Sequence, residues 1–302
     1  MASQTPDFPP EFLAGIRQNE SGYYEVADKP DGAALHAYYT QKYFQQSQGQ
    51  YQKTYSEAEQ RYLHNRLTQK RALIEPLLTG DSRRLLDVGA GEGWVLAAFH
   101  AAGWQVTGID YSDYACKYHH PDCLPFMRAG DVGELLMAAA EAGEQFDSII
   151  LDNVLEHSPA PLELLQASRK LLAPGGVLVV EVPNDFSTTQ AAAAAAGHID
   201  RPFWVVTPDH LSYFNLPGLQ ALAAQAGLET VDALSDFPID FFLFNPDSNY
   251  IMDKTAGKNC HQSRVQLENL MHATSMAGLL NIYRELAKMG LGRQIMAIFR
   301  AA

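Results

Sequence analysis

Short apolar runs along this chain alternate with stretches in which apolar residues recur every three or four positions. That is the pattern of strands exchanged with helices. Runs at 85–88, 105–110, 126–131, 146–151, 177–182 and 228–234 predict six strands, and 294–299 a seventh. Between them, helices are expected at 132–142, 161–172, 191–196, 216–226 and 260–289, and one at 56–78 leads into the first strand. Regular strand–helix alternation predicts an α/β, doubly wound, Rossmann-like sheet. Segment 237–244 is aromatic and either extends the sixth strand or lines a pocket.

The first strand meets three alternating glycines, Gly89, Gly91 and Gly93, and then a helical pattern. Glycine serves where the backbone needs positive φ or must lie against a ligand, and the helix start offers free N–H groups. A nucleotide-like cofactor is the expected occupant. The dinucleotide fingerprint Gly-x-Gly-x-x-Gly is broken, because Trp94 stands where its third glycine would fall. The second strand ends in Asp110, 23 residues after Asp87. A carboxylate there accepts from both hydroxyls of a ribose, which suits a nicotinamide cofactor and other nucleosides alike.

Asp87-Val88-Gly89-Ala90-Gly91-Glu92-Gly93 resembles motif I of the class I S-adenosylmethionine (SAM)-dependent methyltransferases. Downstream, Leu155-Glu156-His157, a helix, Leu172-Ala173-Pro174-Gly175-Gly176, a strand and Val182-Pro183-Asn184 follow in the order of the branch that methylates small molecules, including quinone precursors and sugars. His210-Leu211-Ser212-Tyr213-Phe214 also looks like that family. The resemblance implies that the last strand is antiparallel and inserted between the fifth and sixth. It implies SAM as cofactor, with S-adenosylhomocysteine (SAH) as product. Gly89, Gly91 and Gly93 would admit the amino-acid part of SAM, Asp87 would orient the glycine turn or the SAM ammonium, Asp110 would hold the ribose and Asp131 the adenine amino group. Asp131 reads equally as the N-cap of the helix at 132–142. Asn153, in the polar cluster after the fourth strand, should border the cofactor pocket.

Histidine accepts a proton near neutral pH, so His157 and His210 are the candidate bases for a hydroxyl acceptor. A helix cap for His157 and a loop-shaping role for His210 are the alternatives. The stretch His119-His120-Pro121-Asp122-Cys123 lacks ligand spacing, and no acid pair is assigned to a metal, so no metal site is expected.

Composition narrows the partners. Lys and Arg number 22 against 35 Asp and Glu, a net charge of −13 without a basic run, which argues against nucleic acid. Three cysteines, Cys116, Cys123 and Cys260, without Cys-x-x-Cys spacing argue for a reducing compartment. No stretch approaches the roughly 20 apolar residues that span a bilayer, and no signal segment opens the chain, so a cytoplasmic protein without membrane contact is expected.

Eight of the 14 tyrosines fall between Tyr23 and Tyr62. Residues 1–75 are therefore expected to form a Tyr-rich helical cap, 76–244 the SAM-binding Rossmann-like domain, and 245–302 a helical insertion followed by the final strand. The insertion reads as a lid or a homodimer interface. The acceptor is expected to be a polar small molecule, a hydroxyl of a sugar or of a natural-product or polysaccharide precursor. Two other classes stay open: an NAD-dependent oxidoreductase or epimerase, and a SAM-binding protein without catalysis.

Overall fold

The computed structural model describes residues 7–30 and 54–302. The tyrosines from Tyr38 to Tyr51 lie outside the described residues. The sequence expects residues 1–75 to form a helical cap, but the described residues before 31 hold a short 3-10 turn and two strands, β1 (Ile16–Gln18) and β2 (Tyr24–Val26). Helix α1 (Glu57–Ile74) follows, started by Ser56, whose hydroxyl accepts from Glu59 N while the Glu59 carboxylate returns to Ser56 N.

Next come β3 (Arg84–Val88), α2 (Trp94–Ala101), β4 (Gln105–Asp110), α3 (Tyr114–His119), β5 (Met127–Ala129), α4 (Val132–Glu141) and β6 (Phe146–Asp152). The second half contains α5 (Pro161–Lys170), β7 (Leu172–Pro183), α6 (Thr188–Ala195), β8 (Ser212–Tyr213), α7 (Leu216–Gln225) and β9 (Leu228–Ser235). Helices α8 (Gly257–Thr274) and α9 (Met276–Lys288) precede β10 (Gln294–Ala301). The helical stretch expected over 260–289 is thus present as two helices. Ser275 is extended (φ −166°, ψ 104°) and its hydroxyl accepts from Gly278 N at 3.1 Å, restarting the helix.

Seven strands form one sheet in the order β5-β4-β3-β6-β7-β10-β9, with β10 antiparallel to both neighbours. This is the expected doubly wound sheet with its inserted last strand. Central strands read as near-continuous apolar runs because both faces are covered. Leu86, Val88, Ile149, Leu151, Val180 and Val182 face one layer with residues of α4, α5 and α7. Leu85, Ile150, Val177, Val179 and Ile298 face the other, against α1, α2 and α9.

A second small sheet, β1-β2-β8, packs over the carboxyl end of β7. Tyr24 stacks on Phe186 at 4.1 Å between ring centroids, and Trp204 meets Phe186 edge-on at 5.3 Å. Helix α1 lies along α8, joined by Asn65 to Asn269 (2.9 Å) and Gln69 to His272 (3.0 Å). Helix α1 of the segment read as a cap thus packs against α8 of the segment read as a lid. Segment 237–244 neither extends β9 nor continues the sheet; Ile239–Phe244 is a 3-10 turn. No helix among the described residues is long and apolar enough to cross a membrane.

Candidate active site

The glycine turn sits at the carboxyl end of β3 and is tied to β4, where the Ile109 carbonyl accepts from Gly89 N (2.7 Å) and Ala90 N (3.1 Å). Gly89 has φ 76°, and a Cβ there would lie 2.4 Å from Val154 Cγ2. Only glycine fits. Gly91 N donates to Asp110 Oδ2 at 2.8 Å, and Ser112 N to Oδ1 at 3.1 Å. Asp110 is buried, which raises its pKa despite these backbone donors. Each oxygen keeps acceptor capacity for a further donor.

Asp87, in β3 and 2% exposed, has one buried carboxylate oxygen with no hydrogen-bond partner among the described residues. Burial, reinforced by the negative charge of Asp152 and partly offset by Lys70, pushes its carboxyl up to about 8. A buried acceptor of this kind is what an ammonium would satisfy.

Trp94, in the place of the third fingerprint glycine, grips the loop itself. Its Nε1 donates to Glu92 Oε2 at 2.7 Å, and the Tyr55 hydroxyl donates to the same oxygen at 2.7 Å. His119 and His120 belong to this brace: His119 Nε2 lies 3.4 Å from Glu92 Oε1, and His120 Nδ1 lies 2.7 Å from the Glu92 carbonyl oxygen. Asp131 caps α4, accepting from Glu134 N at 3.0 Å, and its other oxygen lies 3.5 Å from the Tyr111 hydroxyl. Asn153 takes φ 55°, donates to Asp152 Oδ1 (2.8 Å) and accepts from Gln294 Nε2 (3.2 Å).

Beyond β6 the chain brings His157 and His210, 53 positions apart, into edge-to-face contact at 4.8 Å. His157 Nδ1 is 2.7 Å from the Asp209 carbonyl oxygen, so it donates there, and in the neutral ring Nε2 carries the lone pair. Glu156 is 1% exposed and neither carboxylate oxygen has a hydrogen-bond partner among the described residues. Burial, with added repulsion from Asp185, Asp152 and Asp209, drives its pKa well above the ordinary carboxylate value. One ligand atom each from Glu156, His157 and His210 lie within 4.8 Å of one another. The sequence assigned no metal ligands; this trio has the donor set for a divalent cation.

A third group was not singled out in the sequence. Lys70, 4% exposed, reaches from α1 to Asp152 and to Glu181 Oε2 (2.8 Å), and Arg66 pairs with Glu181. Burial pushes Asp152 upward, but Lys70 and Arg66 outweigh it and hold its pKa below the usual value. The available signal is two cations one helical turn apart on the α1 face that also buries Leu67, Leu73 and Ile74.

The sheet order, the glycine turn and the acid after β4 define a Rossmann-like domain of the methyltransferase type. The methyltransferase-domain family matches residues 59–233, and the chain belongs to it, within the class I SAM-dependent methyltransferases. It is 31% identical over 167 residues to a ubiquinone biosynthesis O-methyltransferase of Aromatoleum aromaticum, covering 50% of this chain and 66% of that protein. It is 32% identical over 171 residues to the protein of that name from Ruegeria pomeroyi, covering 55% and 65%. The chain thus spans just under two thirds of these curated relatives. A solved SAM-dependent methyltransferase of Archaeoglobus fulgidus shares the fold (TM-score 0.50, 18% identity, 87% of this chain and 98% of that one). SAM, the cofactor of this class, fits the residues present. Asp87 would offer an unmatched buried oxygen to its ammonium and Asp110 two oxygens to its ribose, with Gly89 keeping the turn close against Val154.

Proposed function

We propose that the protein transfers a methyl group from SAM to a hydroxyl of a polar small molecule, a sugar or a natural-product or polysaccharide precursor, with His157 as the base. The observation that carries this is the His157 geometry: Nδ1 is committed to the Asp209 carbonyl, which puts the neutral ring's lone pair on Nε2, and the ring stands at the carboxyl end of β6 where ligands of doubly wound sheets sit. The relatives' shared O-methyltransferase name supports oxygen as the methylated atom. When bound, SAM supplies a methyl group on a positively charged sulfur, so the protein's task is alignment and water exclusion.

Asp87, Gly89, Gly91, Gly93, Asp110, Asp131 and Asn153 form the cofactor side of this reading. His157 Nε2 takes the hydroxyl proton as the acceptor oxygen becomes nucleophilic, and His210 packs on its ring. Helices α1, α8 and α9 cover the pocket. The three free, buried cysteines support a cytoplasmic setting. Exposed Leu267, Leu270, Ile282 and Met289 on or beside α8 and α9 support a homodimer through that face, which sedimentation at micromolar concentration tests.

The test is methyl transfer from labelled SAM over a panel of hydroxylated acceptors. His157→Ala lowers kcat by about 10²- to 10⁴-fold while leaving SAH affinity unchanged in calorimetry. Full kcat in that variant removes His157 from the chemistry. A second reading follows from the Glu156–His157–His210 trio: these residues hold a divalent cation that polarises the acceptor oxygen. Loss of activity in chelator, restored by one metal, together with metal binding lost in Glu156→Gln, selects that reading.

A further inference from the structure

A polar cleft lies between α1, α9 and the ends of β7, β9 and β10, walled by Arg66, Lys70, Glu181, Asp236, Tyr283 and Gln294. Asp236 is 5% exposed. Its Oδ1 is saturated by Arg293 N and Gln294 N, both at 2.8 Å. Its Oδ2 has no hydrogen-bond partner among the described residues; the nearest cationic nitrogens, on Arg66 and Arg264, stand at 3.8 and 4.0 Å. Ser235, the residue before it, turns its side chain to the opposite face of the sheet, in the row of Ile295 and Val182, with its Oγ beside Gly292.

A buried carboxylate oxygen with no donor is costly, so the group that completes this cleft must donate. The cleft leaves about 30 Å³ for the centres of water-sized groups, room for about two of them. Its ionic surroundings set three cations, Arg66, Lys70 and Arg264, against four carboxylates, Asp152, Glu181, Asp236 and Glu268. One negative charge is unmatched, which favours an ammonium over a neutral hydroxyl. The cleft backs onto the end of β6: Lys70 pairs with Asp152, and Gln294 Nε2 donates to Asn153 Oδ1 at 3.2 Å.

We infer that this cleft anchors a primary ammonium group of the acceptor, with Asp236 Oδ2 receiving an N–H bond from it, so that the acceptor is an amino-bearing polar molecule. This rests on the methyltransferase reading. The test uses the full chain loaded with SAH, titrated with methylammonium chloride and followed through the backbone amides of Ser235, Asp236 and Gln294 by NMR. Tetramethylammonium, which has no N–H, and sodium chloride serve as controls. Saturable shifts are expected with methylammonium alone. Asp236→Asn should weaken them at least tenfold, and Ser235→Ala, which keeps the carboxylate and lies on the other face of the sheet, should leave them unchanged, both with unchanged SAH affinity. Equal responses to both ammonium ions, no saturable shift because the cleft takes only water, or full binding in Asp236→Asn overturns the proposal. Failure of SAH itself to bind would instead strike the methyltransferase reading.

Discussion

The cofactor side and the α1 side of this sheet are both polar, and they are built by opposite means. Around Gly89 the chain uses its own backbone: glycines at positive φ, N–H groups aimed at one carboxylate, and residues from a single stretch between Asp87 and Ser112. Around Lys70 it uses side-chain charges drawn from α1, β6, β7, β9 and α8, which meet only after the sheet has closed. The difference teaches that a recognition loop can be dissociated from stability while an ionic cluster cannot. Loop donors lose a ligand when removed; a buried cation leaves stranded carboxylates behind.

Lys70→Met is therefore the change with the largest expected effect. It removes the partner of Asp152 and of one Glu181 oxygen and should cost about 3–5 kcal/mol, read as a lowered urea midpoint. Adding Glu181→Gln should return part of that loss, since a charge no longer needs a partner. If Lys70→Met unfolds at the wild-type midpoint, the α1 side is no more structural than the loop and the contrast collapses.

Asp110→Ala should do the reverse. Loss of charge-assisted hydrogen bonds worth about 1.5–3 kcal/mol weakens SAM by roughly 10- to 150-fold, with the unfolding midpoint changed far less than in Lys70→Met. Calorimetric titration of SAH into the folded variant measures it, and unchanged affinity would remove Asp110 from the ribose site.

Asp87 sharpens the comparison through pH. Its folded pKa of about 8 lies above the unfolded value near 3.9, so between those limits the folded state holds a proton the unfolded state lacks, and this group's contribution to stability falls as pH rises. Ammonium binding prefers the ionised form. SAH affinity should therefore rise from pH 6 towards 8, by up to tenfold per unit, with proton uptake by the buffer on binding; Asp87→Asn should flatten that slope. A flat profile in the wild type would mean that Asp87 does not meet the ammonium.

The smallest effect expected is dynamic. Cofactor should slow amide exchange in α1, α8 and α9, because a cover over a reactive sulfonium must open for entry. Equal exchange with and without SAH would make these helices a fixed wall.

The same division explains what could be read from the sequence. Strands β3, β4, β6, β7, β9 and β10, the glycine turn and Asp110 are local patterns of period and spacing, and the structure places them as expected, the inserted antiparallel β10 included. The carboxyl ends of β6 and β7 are less legible. At the other end of β7, the stop read at 173–176 interrupts the ladder as a bulge, where pairing with β6 jumps from Phe146–Leu172 to Ser148–Val177 and Gly175 takes φ 76°. His157 and His210 are each visible alone; their contact is tertiary. Lys70 and Asp236 look like ordinary surface charges until five separate elements converge on them, and no periodicity records that. Likewise β1 and β2 are three residues each, too short for alternation to show, and they form because β8 supplies the third strand.

The place of β10 has a consequence for how the chain assembles. It follows every other strand in sequence, yet it stands between β7 and β9. As the protein is synthesised, β7 therefore waits with an unpaired edge of valines, and β9 has no neighbour at all until the last strand arrives. Such an edge is a template for pairing with other chains. The ribosome thus holds the β7–β10–β9 side of the sheet open to the end, making the nascent chain most vulnerable to mispairing there.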